Sequence, residues 1–146
     1  MSTTFTPSPV SDRAAISTAR ARAAAGYRNL ALWTLQGWAA MFFFAAGYAK
    51  LTEPLHNLVA LMNWPALVSE NLVRGVGIVE LVLALGLLAP LVSWKLGRWP
   101  LLISAAGLSA LEVVMLSIHA ASFDIGLALT NVALLAITIP VLLGRR

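Results

Sequence analysis

No cysteine occurs anywhere in the chain. That one absence removes a thiol nucleophile, a CxxC redox pair, a disulfide framework, and Cys-ligated zinc or iron–sulfur centres. Histidine is almost as scarce, with two residues, so no metal site is expected. Charge is thin as well. Asp, Glu, Lys and Arg make up 11% of the 146 residues, against about 25% in an ordinary soluble domain. So few charges do not make a water-facing shell, and the surface they leave points to a lipid bilayer as its surroundings. A GxxxxGK[ST] phosphate loop, HExxH, GxSxG and any internal repeat are missing too. No complete catalytic constellation is present, and whether the protein turns anything over is left open.

What the chain does have is apolar: 60% of its residues are hydrophobic and its mean hydropathy is +0.84. The net charge of +4 and the pI near 10.4 are read as a topology signal, not as a nucleic-acid footprint, because the basic residues sit in tails flanking apolar runs. Four such runs are predicted as transmembrane helices, over about 29–49, 75–92, 100–121 and 125–143. Each is roughly 18–22 residues, enough at 1.5 Å per residue to cross a ~30 Å hydrocarbon core. Pro100 is placed in the first turn of the third span. The expected fold is therefore an all-α, integral membrane four-helix bundle over residues 29–146.

Residues 1–28 are predicted as a flexible or interfacial basic arm. Its first ten residues read as disordered, followed by a helix capped by Ser11 or Asp12 and running to Ala25, before Gly26. Arg13, Arg20, Arg22 and Arg28 suit anionic headgroups; a transit peptide shares the composition. Lys50 to Arg74 is a long linker, with a short interfacial helix expected within Leu55–Trp64. Ser93–Trp99 reads as a brief turn, and Ser122 with its neighbours as a tight hairpin. Eight Lys and Arg residues fall on the side of the termini and two, Lys50 and Arg74, on the other. The positive-inside bias puts both termini in the cytoplasm, in a membrane expected to be the bacterial inner membrane.

That orientation sorts the polar residues by depth. Glu80 lies about 9 Å, and Glu112 about 13 Å, inside the outer end of its helix. Lys50 closes the first span on the outer side, His119 the third, and Asp124 opens the fourth, with Asn131 seven residues on. Glu112 and His119 are also seven apart and share a helical face. A charged group at the bilayer centre costs about 2.5–3.5 kcal/mol on insertion scales. Lys50, Glu80, Glu112, His119, Asp124 and Asn131 are therefore candidates for ligand binding or proton handling in an outer-half pocket. The alternative is interhelical hydrogen-bond glue, with Glu80 or Glu112 bonded to backbone or to Asn131. Gly47 and Gly77 are candidate helix-packing positions. The tryptophans read as interfacial anchors.

The block AAGYAKL (Ala45–Leu51), a long outer loop, and GIVELVLALGLLAP (Gly77–Pro90) follow one another in an order that resembles the DoxX family of small four-helix membrane proteins. The resemblance covers roughly residues 30–143. It implies that Gly47, Lys50, Gly77 and Glu80 are the family's characteristic positions, with His119 matching a recurrent histidine. Some members are small subunits of thiosulfate:quinone oxidoreductase and others are tied to thiol stress. The resemblance thus implies a non-autonomous subunit of a redox membrane complex, with another membrane or peripheral redox protein as partner and a quinone as the ligand, and no covalently held cofactor. The Arg-rich tail departs from the shortest members. Self-association is left open. The competing reading is a non-enzymatic scaffold or small-solute carrier, although the inner half offers a carrier only Gln36, Ser104, Thr138 and similar groups.

Overall fold

The computed structural model describes residues 9–146, with side chains from residue 16 onward. It contains five α-helices: α1 (Pro9–Thr52), α2 (Leu55–Met62), α3 (Glu70–Leu88), α4 (Trp94–Ala121) and α5 (Ile125–Gly144). Short 3₁₀ turns at Trp64–Leu67 and Ala89–Leu91 complete the chain, and no strand occurs among the described residues. α1, α3, α4 and α5 are long and apolar enough to cross a membrane. α1 packs on α3 and α5, and α4 closes the ring by packing on both of them. The interior is filled by Ala39, Ala40, Phe43, Ala84, Leu87, Leu101, Ala105, Leu108, Leu134 and Val141. The lipid side is apolar in turn: Phe44, Val82, Ile103, Val113, Leu129 and Ile139 are all exposed. In water such a surface would drive association; in a bilayer it is the solvated face, and the chain is an integral membrane protein.

Three boundaries differ from the sequence expectation. α1 is one helix of 44 residues, about 66 Å long, and it does not break at Gly26. A lone glycine costs a helix only about 1 kcal/mol, which the Ala- and Arg-rich flanks absorb. The helix already includes Pro9, so Ser11 and Asp12 lie inside it, not at its cap. Most of the stretch expected to be disordered, residues 1–8, lies outside the described residues, as do the side chains of 9–15, Arg13 among them. From Ile16 to Ala31 every side chain is exposed, and burial begins at Leu32.

α3 begins at Glu70, five residues before the expected start, because Glu70 and Arg74 pair across one turn at 2.8 Å and give the helix a polar first turn. α4 begins at Trp94, leaving Pro100 inside the helix, not in its first turn. Proline there removes one backbone bond, which a membrane helix tolerates. Arg74 also donates from Nη1 to the backbone carbonyls of Lys50 (2.5 Å) and Glu53 (2.9 Å), satisfying the end of α1.

The long linker folds back on the bundle. Leu55, Leu58 and Met62 recur at helical spacing on α2, and Leu58 and Trp64 are buried against Val73, with Met115 and Ile118 packed beside them. The linker is therefore a cap on one end of the bundle.

Candidate functional site

Beneath that cap lies a cavity of about 90 Å³. Its polar border comes from four helices: Lys50 of α1, Glu80 of α3, Glu112 and His119 of α4, and Thr130 and Asn131 of α5. Its apolar border includes Phe43, Met62, Trp64 and Met115.

The meeting of Lys50 and Glu80 follows from the glycines. α1 and α3 run antiparallel, and a Cβ on Gly77 would collide with the Cβ of Lys50, as one on Gly47 would with Leu81. Without side chains at 47 and 77 the two backbones approach closely. Helical Cα–Cβ bonds tilt toward the N-terminus, so the side chain of Lys50 runs inward along α1, over the glycine side, to Glu80 one turn deeper. Its Nζ donates to both carboxylate oxygens, at 2.9 Å to Oε1 and 2.7 Å to Oε2. Both side chains are only 5–6% exposed. Glu80 is thus held by a lysine side chain, not by backbone or by Asn131.

Glu112 is buried one helix away, and its Oε2 has no hydrogen-bond partner. Asn131 is equally placed: its Nδ2 is buried and unpartnered. Both residues border the same cavity, together with the buried His119. An unsatisfied buried polar group costs about 1–3 kcal/mol, so each of these two atoms is a candidate to meet a polar ligand atom. A donor on Asn131 and a carboxyl on Glu112 together suit a molecule carrying both an acceptor and a hydroxyl.

Asp124 does not join them. Its Oδ1 accepts from the backbone N–H of Leu127 at 3.2 Å and caps α5, a structural task at the helix N-terminus. Trp64, read as an interfacial anchor, is instead buried and borders the cavity. Thr130, Met62 and Met115 were not anticipated either. The apolar spacing of Leu55, Leu58 and Met62 is the signal that could have turned α2 inward.

Toward the other end the bundle closes. Gln36 donates to the carbonyl of Leu87 at 2.6 Å, where α3 passes into the 3₁₀ turn around Pro90. Ser109 donates to Thr138 Oγ1 at 3.0 Å, tying α4 to α5.

The sequence model of the DoxX-like family matches residues 34–141, and the chain belongs to that family. The match takes in the bundle and every residue bordering the cavity, and leaves out the exposed arm of α1. No curated protein and no solved structure matches the chain.

Proposed function

We propose that this DoxX-like protein is a membrane-embedded binding and proton-exchange module, working as a non-autonomous subunit of a redox membrane complex. Its capped cavity takes a small polar molecule, or the polar head of a larger one, from the outer side of a bacterial inner membrane. The observation that carries this reading is that Glu112 and Asn131, which both border one cavity beside an ion pair, each keep a buried, unpartnered polar atom, Oε2 and Nδ2. Passage through the monomer is disfavoured by the apolar core and the Gln36–Leu87 bond below the cavity.

The donors suit a quinone: the Asn131 amide can hold a carbonyl, and Glu112 can exchange a proton with the oxygen opposite. The volume does not. An apolar cavity that accepts benzene measures about 150 Å³, and this one is about 90 Å³. A ring does not fit beneath the cap. The chain holds no cysteine, so any thiol–disulfide electron transfer belongs to the partner.

The test is purification of the full chain in mild detergent, with mass spectrometry of the small molecules and proteins retained. The wild type should carry a polar ligand that Glu112→Gln loses while keeping its fold. A ligand retained equally by both forms, or by neither, would return the cavity to a packing role.

A further inference from the structure

The end of the bundle that bears the chain termini holds a second cavity, of about 370 Å³, independent of the site proposed above. It is bordered by Arg28 and Asn29 of α1, Trp94 and Arg98 of α4, and Arg145 and Arg146 just past α5. Three separate elements thus bring four guanidinium groups to one place, and no carboxylate side chain borders it. Glu53, Glu70 and Asp124 belong to the capped end, and Glu80 and Glu112 to the other cavity. Asp12 is sixteen residues before Arg28, about 24 Å away along α1. Like charges gathered so closely repel one another unless something anionic sits among them.

Arg145 is the telling member. It is 7% exposed, with its Nη1 donating to Asn29 Oδ1 at 2.7 Å. Its guanidinium lies over Trp33, 4.9 Å from the ring centroid, and over Trp94, 5.1 Å away. One corner and both flanks of the group are therefore held. The opposite edge, Nε and Nη2, is buried and has no partner. Those two N–H groups point the same way and form the side-on fork that grips two oxygens of one anion. Burial without a matching charge pushes the guanidinium down from its ordinary range.

We infer that this cavity binds a phosphate-bearing anion, gripped side-on by Arg145 and faced by Arg28, Arg98 and Arg146. A phosphate offers oxygens in several directions and so meets forks arriving from three elements, where a carboxylate would fill one. The same chemistry is carried by an anionic phospholipid headgroup and by a soluble phosphate compound. Arg28, Arg98 and Arg146 are exposed and free to close on either.

The experiment uses the full chain in nanodiscs of phosphatidylcholine. One arm adds phosphatidylglycerol to the bilayer, and the other adds inorganic pyrophosphate to the buffer; native mass spectrometry and thermal midpoint report binding. Arg28→Gln with Arg98→Gln alters only exposed groups, and Arg145→Lys keeps the charge but removes the fork. Either ligand should bind with an affinity that falls about tenfold or more in the double variant, the size expected for one or two lost charge-assisted bonds. A response to phosphatidylglycerol alone identifies the source as lipid, and a response to pyrophosphate alone as soluble; both support the site. Equal binding by wild type and double variant, or no binding of either anion, overturns it. Should Arg145→Lys fail to fold, the double variant still decides.

Discussion

Gly47 and Gly77 face each other across α1 and α3 so closely that a Cβ on Gly47 would lie 2.7 Å from the carbonyl oxygen of Gly77. The atom in the way is backbone, so the helices themselves would have to part. The same approach brings Lys50 over α3 to Glu80, and packing and electrostatics at this crossing are one feature.

Gly47→Ala should therefore destabilise the bundle by about 1–3 kcal/mol, the usual cost of overpacking. Gly37→Ala is the control: a Cβ there meets nothing within 4 Å, and helix propensity favours alanine by up to about 1 kcal/mol. Unfolding in mixed detergent and SDS micelles compares them. A Gly47→Ala protein as stable as wild type would refute the close crossing.

Breaking the ion pair from one side should cost more. Lys50→Met or Glu80→Leu leaves one buried charge without its partner, at about 3–5 kcal/mol. Lys50→Met combined with Glu80→Leu should recover much of that loss, because an apolar pair of similar bulk is tolerated where an orphan charge is not. Single losses that simply add in the double variant would show that the two residues are not coupled.

Asn131→Leu should act in opposite directions on stability and on binding. Removing a buried donor with no partner is expected to raise stability by about 1–3 kcal/mol, while abolishing the ligand retained by wild type. Such a trade is characteristic of binding residues. A destabilised Asn131→Leu protein would mean that the amide already serves the fold.

The absence of cysteine makes the cap easy to probe. His119→Cys places a lone thiol in the cavity, and it should react slowly with a charged maleimide while Trp64 covers it. Adding Trp64→Ala should speed labelling severalfold. Equal rates in the two backgrounds would show that the linker is not the lid of this cavity.

The basic residues give a topology prediction. Reporter fusions at Arg146 should signal cytoplasm, and insertions within Leu55–Ala66 the opposite side. A cytoplasmic signal from the linker would reverse the orientation and with it the side from which the cavity opens.

Composition and periodicity alone determined the class of this protein, its four spans and the short list of polar residues within them, because a bilayer demands long uncharged helices and makes every exception conspicuous. The motif Gly–x–x–Lys before the loop and Gly–x–x–Glu after it marked the crossing, though not that Lys50 reaches Glu80. That pairing joins two residues thirty apart in the chain through the antiparallel register of their helices, and no local pattern carries it. Asp124 looked like Asn131 seven residues on, yet one caps a helix and the other borders a cavity, a difference set by which neighbour each side chain meets. Trp64 read as a membrane anchor because the linker's fold back over the bundle is a tertiary event. The arginines on the side of the termini read as a topology signal, and only the convergence of α1, α4 and the end of α5 placed four of them around one cavity, with Arg145 buried among them and one edge of its guanidinium unpartnered.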